Sequence, residues 1–417
     1  MHSLKGRAFS CLCILAAFAG SSQAQKQLSW NEVRERFELN NPNLLAGKLN
    51  IEESRANEVT AGLRPNPQLN FVTDQYQIFH PSRIDLLGNA QITPTVSQLF
   101  ERRRKRELRA ESARYSTSIA GTDQADLVRN LLFNLRDAFT RALQQQSLLE
   151  LAQQNIQYYD RVIETSRIRL QAGDISRSDF ARIELQRQQF ESDLINAQVN
   201  LRTAKIGLLA LMNEKNPIDS FTVTGDFDFH PIAILLADVR QAALDSRPDL
   251  RSAATAVNKA RTDNRLAFAN GSVDPIAGLE YQRTAGFDTL GLNVTIPLRI
   301  FDRNQGEKAR TAIEIHRAER SREAIETALL RDVDSGYATL QSVNDILRPY
   351  REKYLPEAVE VRDYVEFAYK NGAASLLDFL DAQKSYRDTQ LNYRNLVGNY
   401  LSAVNQLNLA VGREVIQ

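Results

Sequence analysis

The sequence predicts a mainly α fold with a small β part. Long helical hairpins carry coiled-coil seams, and four strands per chain have the pattern of barrel strands that other copies of the chain must complete. Three observations predict it. Two long stretches carry heptad seams. In the first, Ala142, Leu149, Ile156 and Ile163 recur every seven residues beside Ala138, Ala152 and Tyr159. In the second, Leu329, Gly336, Val343 and Tyr350 alternate with Val333, Leu340, Leu347, Tyr354 and Val361, and such sustained heptads mean coiled-coil packing. Four segments of about ten residues alternate apolar with polar or small residues, the length and pattern of outer-membrane barrel strands. The chain also repeats itself. Residues 369–383 echo residues 170–184 at an offset of 199, Glu32–Leu44 echoes Asp238–Leu250 at 206, and Phe100-Glu101-Arg102 echoes Phe301-Asp302-Arg303 at 201. A long period repeated only twice is a two-fold pseudo-repeat, not a solenoid.

Residues 1–24 read as a secretory signal peptide: Lys5 and Arg7, then an apolar run from Phe9 to Gly20, then small residues at Ser22 and Ala24. The first repeat spans 25–213. It opens with helix from Trp30 to about Leu63, jointed at Asn41-Pro42 and stopped before Pro65-Asn66-Pro67. Strands are expected at about 68–79 and 84–94, joined at His80-Pro81-Ser82, then a helix from about Ser97 to Leu170 that contains Gly121 but no proline. A tip hairpin at about 170–180 returns the chain into a helix from Ser176 to Met212. Residues 214–235 are a linker that adds a short strand and helix to a side domain. The second repeat, 236–412, places strands at about 274–283 and 288–298, a long helix bent by Pro349 and Pro356, a tip hairpin at about 369–381, and a return helix from Ser375 to Val411. Residues 413–417 form a tail.

Both cysteines, Cys11 and Cys13, fall in the leader, so the mature chain has no thiol chemistry and no disulfide. Losing Lys5 and Arg7 moves the net charge from +1 to about −1, which offers nucleic acid no general attraction. The basic run Glu101–Glu107 is read as a solvated, membrane-proximal face. With a mean hydropathy of −0.39, no stretch of the mature chain suits a transmembrane helix, so entry into a membrane requires β-strands. His80, His230 and His316 lack metal-ligand spacing, and the sequence carries no nucleophile elbow, HExxH, P-loop or dinucleotide fingerprint. The chain reads as a non-enzyme with no cofactor.

Gly173 and Gly372 suit the left-handed C-caps of the tip turns. Asp378 and Asp381, three residues apart, share one helix face. Four strands cannot close a barrel, and open edges are not tolerated in lipid, so copies of the chain must complete it. Helices near 100 Å long exceed a bilayer about 30 Å thick and must project from it. The layout describes a conduit. The other layout compatible with these residues is a periplasmic coiled-coil adaptor whose strands pack in a soluble domain.

These features together resemble the TolC family of outer-membrane efflux channels. The likeness runs from about Trp30 to Gly412, through Asn41-Pro42-Asn43-Leu44, Arg247-Pro248-Asp249-Leu250, Arg64-Pro65-Asn66-Pro67, Ile296-Pro297-Leu298 and the two glycine-led tips. The run Phe301–Gly306 is most similar to the heavy-metal-efflux branch. The resemblance implies a homotrimer in outer-membrane lipid, its four strands per chain joined in a trimeric 12-strand transmembrane β-barrel and its coiled-coil hairpins in an α-barrel that extends far into the periplasm, together with an adaptor protein and an inner-membrane pump of the RND type. Metal efflux, organic-compound efflux and type I protein secretion share such an outer component. It also implies that Asp378 and Asp381 ring a periplasmic constriction. Tyr369 matches a tyrosine that latches the second tip hairpin to the first, with Ser178 and Asp179 at the partner positions. The family's latch arginine is replaced here by Ala374, leaving Arg177 or Arg182 as substitutes and a closed state held less tightly.

Overall fold

The computed structural model of the 417-residue chain describes residues 26–76, 90–215, 221–284 and 286–416. The expected leader and the turn at 80–82 lie outside the described residues. The architecture is mainly helical, as the sequence predicts. A four-stranded sheet caps one end of a bundle of long helices, and two helical hairpins run away from it.

The sheet contains β2 (Gln68–Asp74), β3 (Gln91–Leu99), β5 (Ile276–Thr284) and β6 (Phe287–Thr295), antiparallel in that order. Its two edges, β2 and β6, have no neighbour in the protomer among the described residues. The register sorts the side chains onto two faces. The pairs Leu69↔Val96, Val96↔Leu279, Leu279↔Leu292 and Tyr281↔Leu290 put apolar side chains on one face, where they stand exposed. The pairs Asn70↔Thr95, Thr95↔Glu280, Glu280↔Gly291 and Gly278↔Asn293 make the other face polar or small. A sheet with its apolar face outward suits lipid, not water.

The second strand, whose expected start at 84–89 lies outside the described residues, continues to Leu99 instead of ending at Pro94, and the following helix starts at Lys105, not Ser97. Pro94 stays inside the strand, paired with Phe71 of β2. Toward β5 the ladder skips Thr93 and Pro94, because proline has no N–H to give. One further small ladder leaves no mark in the sequence as a pair: β1 (Lys26–Leu28) lies parallel to β4 (Phe221–Val223), which is the strand expected of the linker.

The helices are α1 (Trp30–Asn40), α2 (Pro42–Gly62), α3 (Lys105–Ala172), α4 (Arg177–Met212), α5 (Leu236–Ser246), α6 (Pro248–Asn270), α7 (Gln305–Pro349), α8 (Leu355–Lys370) and α9 (Leu376–Val411). With 68 residues, α3 is about 100 Å long. Each half has its own core. In the first, Phe37, Leu135, Phe139, Leu208 and Met212 pack α1, α3 and α4 around β1 and β4. In the second, Leu329, Leu340, Leu347, Tyr400 and Leu407 pack α7 against α9 and α5.

The repeat-start residues do matching work. Asn41 caps α2 and donates through Nδ2 to the Leu211 carbonyl in the last turn of α4 (2.9 Å). Arg247 precedes Pro248 and donates to the Ala410 carbonyl in the last turn of α9 (2.9 Å). Both side chains are buried, and both satisfy carbonyls that a helix end leaves unpaired. Each so locks the start of a repeat to its finish.

The seam of α7 stops at Leu347. Beyond it, Tyr354 and Val361, expected to continue the heptads, are 45% and 51% exposed. A π turn at Tyr350–Tyr354, closed by the Leu355 N–H on the Tyr350 carbonyl, inserts extra backbone between Pro349 and Pro356. Pro356 has no N–H for an α-helical bond, and the wider turn absorbs that loss while rotating the stripe off the seam.

Candidate functional site

The two tips are built alike. Gly173 (φ +83°) and Gly372 (φ +75°) turn the chain in the left-handed region that a side chain disfavours. Three residues on, Ser176 and Ser375 cap the return helices. The Asp179 N–H donates to Ser176 Oγ (3.0 Å) and the Asp378 N–H to Ser375 Oγ (3.2 Å). Asp378 completes a capping box, accepting from the Ser375 hydroxyl (2.6 Å) and backbone N–H (3.0 Å). These bonds hold the Asp378 carboxyl below the usual carboxylate range. Asp381 lies one turn on, exposed, with no hydrogen bond or ion pair among the described residues. The structure therefore separates the two candidate gate carboxylates: Asp378 is tied to its own helix, and Asp381 is unengaged.

Tyr369 is buried between the hairpins. Its ring stacks on Phe379 at 4.8 Å, and the Arg169 guanidinium lies 5.0 Å from its centroid. Burial pushes its phenol up, and the nearby Asp179 carboxylate adds to the rise. Its hydroxyl has no partner in the protomer among the described residues. The two residues expected to receive it turn to Ser176 instead: Asp179 accepts from Ser176 Oγ (2.8 Å), and the Ser178 and Ser176 hydroxyls are 2.8 Å apart. The arginine that faces Tyr369 is Arg169, in the last turn of α3. Arg177 and Arg182 stay exposed on α4. Arg169 lies before the tip glycine, outside the stretch where the tip echo directs attention.

A second junction between the hairpins lies further from the tip. Gln383 Nε2 donates to Tyr158 Oη (2.7 Å), Tyr158 donates to Glu366 (2.6 Å), and Lys370 donates to the other Glu366 oxygen (2.6 Å). It joins α3, α8 and α9. Desolvation and the Glu366 carboxylate raise the Tyr158 phenol, which stays a donor. Below it, Tyr159, Ile163, Ile183 and Phe190 form a small apolar core that Leu376 and Leu380 join from α9. The only sequence sign of this junction is Gln383 replacing the Glu184 of the first tip; the partners are 208 and 225 residues apart.

No group of three or more metal-ligating side chains gathers among the described residues. None of the described helices is long and apolar enough to cross a membrane. What this chain offers a membrane is its sheet.

An open, lipid-suited sheet carried on two helical hairpins, each ending in a capped glycine turn, is one protomer of a channel-type assembly. The chain belongs to the outer membrane efflux protein family, whose profile matches residues 33–214 and 239–413. Over 382 residues it is 22% identical to the cobalt-zinc-cadmium resistance protein CzcC of Cupriavidus metallidurans, covering 89% of this chain and 87% of that protein. The likeness to the heavy-metal branch thus extends over most of the chain. Among solved structures, CusC superposes with a TM-score of 0.78 at 17% identity over 92% of both chains. The open state of the MtrE outer membrane channel of Neisseria gonorrhoeae gives 0.73 at 16% identity over 92% of this chain and 89% of that one.

Proposed function

We propose that the chain is the outer-membrane duct of a tripartite efflux system, a passive homotrimer that receives metal ions or small molecules from an inner-membrane pump through a periplasmic adaptor. One observation carries this reading. The four-stranded sheet exposes an apolar face and leaves both edges open, at the end of helices about 100 Å long. Three such sheets give twelve strands, enough to close a barrel without edges. The metal cargo is favoured by the likeness to a cobalt-zinc-cadmium resistance protein, and the pump that goes with it is of the RND type.

The duct is gated at the tips. Threefold symmetry brings Asp378 and Asp381 of each protomer toward one axis, where crowded carboxylates favour cations. Tyr369 is the latch: its hydroxyl, unpartnered in the protomer among the described residues, takes Asp179 on closing, when that carboxylate leaves the Ser176 hydroxyl. With Ala374 in place of an arginine, the closed state is held weakly.

The test is current through a planar bilayer containing the purified protein. Discrete, cation-preferring steps that enlarge on substitution of Asp378 and Asp381 by asparagine are expected. Steps indifferent to both substitutions remove the gate assignment and keep the duct. Folded protein that conducts nothing removes the duct and favours the periplasmic adaptor.

A further inference from the structure

We propose that Arg102, Arg103 and Arg104, with Arg64, Arg299 and Arg303, form a collar that binds anionic phospholipid headgroups in the leaflet nearest the helices. The proposal rests on the barrel reading for its depth in the membrane. Strand register places the collar. Gln68 pairs with Ser97, Leu99 with Ile276, and Ile276 with Thr295, so these residues all lie at the helix end of the sheet. The arginines follow or precede those residues by a few positions. Cross-links tie the segments of Arg102–Arg104 and Arg303 to this end: Phe100 N to the Pro275 carbonyl (2.9 Å), Arg102 N to Asp274 Oδ1 (2.9 Å), and Asn304 Nδ2 to the Ala267 carbonyl (2.8 Å).

The local carboxylates are already engaged. Asp274 binds the buried Lys105 Nζ at 2.6 Å, Glu101 binds Arg109, Glu107 binds Arg106 at 3.1 Å, and Asp302 accepts from the Asn304 N–H at 2.8 Å. The side chains of Arg102, Arg103 and Arg104 are exposed and make no hydrogen bond or ion pair among the described residues, and the same holds for Arg64 and Arg303. The alternation is informative: Lys105 turns inward to build the junction, while the three preceding cations face out.

The backbone adds a second, independent observation. Arg103 and Arg104 both sit at φ +58°, a left-handed conformation that bulky side chains rarely take. At the matching helix start in the second repeat the residue is Asn304, also φ +58°, a type that accepts this conformation. In the first repeat, cationic side chains occupy a backbone suited to asparagine or glycine, which points from strain to function.

The third observation is the order of layers. The apolar face of the sheet continues into Ile296, Leu298 and Ile300, and then come Phe100 and Phe301, 54% and 90% exposed. Apolar band, aromatic girdle, guanidinium layer is the sequence of environments across a membrane interface. Guanidinium forks match phosphate oxygens, and the adjoining phenylalanines select phosphate carried on a lipid over phosphate in solution.

The experiment reconstitutes the full mature chain in phosphatidylcholine vesicles containing a minority of phosphatidylglycerol. Mass spectrometry then counts each lipid retained after detergent extraction, and single-channel recording is run in parallel. Wild type should retain phosphatidylglycerol over phosphatidylcholine on the order of tenfold beyond its share, and excess inorganic phosphate should leave this unchanged. The triple substitution R102Q/R103Q/R104Q should cut the preference at least about fivefold while channel steps persist. If that variant fails to fold, R103N/R104N takes its place, since asparagine suits both backbones. Equal retention by wild type and variant, or loss of the preference to inorganic phosphate, overturns the collar. Channel steps without any lipid preference overturn the collar alone. Failure of the wild type to insert in these vesicles overturns the barrel reading and the collar with it.

Discussion

Asp378 and Asp381 sit one helical turn apart, yet they behave as different chemical groups. Asp378 spends its carboxylate on the Ser375 hydroxyl and N–H, so neutralising it perturbs the cap of α9 as well as any field in the tunnel. Asp381 has no such duty. Asp381→Asn should therefore change cation preference and step size with the tip helix intact. Asp378→Asn should change both and also loosen the tip, seen as faster amide hydrogen exchange over the first turn of α9. The Asp378 carboxyl is depressed in the folded chain, so its contribution is present above the ordinary carboxylate value of 3.8 and is lost only as pH falls through its lower folded value. Tyr400 gives the opposite sign. Burial lifts its phenol to about 12, and its hydroxyl donates to the His230 carbonyl at 2.6 Å. A phenol raised above its unfolded value near 10 stabilises the fold below that pH and loses the contribution as pH climbs toward 12. The loss should approach about 1.4 kcal/mol per pH unit between those limits. Urea titrations of the detergent-solubilised protein should show a smaller loss over this range in Tyr400→Phe than in the wild type, the remainder coming from other raised phenols such as Tyr158, and the variant starts about 1 kcal/mol lower for want of the hydrogen bond.

At the scale of elements, the sheet and the helices report different kinds of information. On β6, Leu292 pairs with Leu279 on the apolar face, while its neighbour Asn293 pairs with Gly278 on the polar one. Leu292→Arg should destabilise the assembled barrel by roughly 2–4 kcal/mol, measured by folding into vesicles, whereas Asn293→Arg should fold normally and weaken cation preference. Reversed outcomes would mean that the sheet has its faces the other way round. The alternation that sorts these residues is legible in the sequence itself, because a strand's period of two survives there. The boundary of β3 is not, because Pro94 reads as a strand end although only one side of its ladder suffers. The heptads of α7 match the packing through Leu347 and depart from it beyond. A π turn changes register without changing composition, so the seven-residue spacing of Tyr354 and Val361 persists in the sequence after its geometric meaning is lost.

At the scale of the molecule, the proposed trimer rests on the edges of β2 and β6, which have no neighbour in the protomer among the described residues. The native mass in detergent should be three times that of a single chain, and the trimer should persist as long as the strands stay paired. A monomer that stays folded and soluble without detergent would contradict the barrel. The sequence alone determined the duplicated plan, the return helices from Ser176 and Ser375, the turns at Gly173 and Gly372, and the β-strands as the chain's route into lipid. All of these follow from local propensity and short periods, which leave their mark within a few residues. Only the tertiary structure decided that Arg169 faces Tyr369, that Tyr158 joins Glu366 to Gln383, that Arg247 closes the second repeat onto Ala410, and that Lys105 turns inward while three arginines stay out. These contacts join residues far apart in the chain, and their partners are chosen by the packing of long helices whose relative rotation no local pattern records.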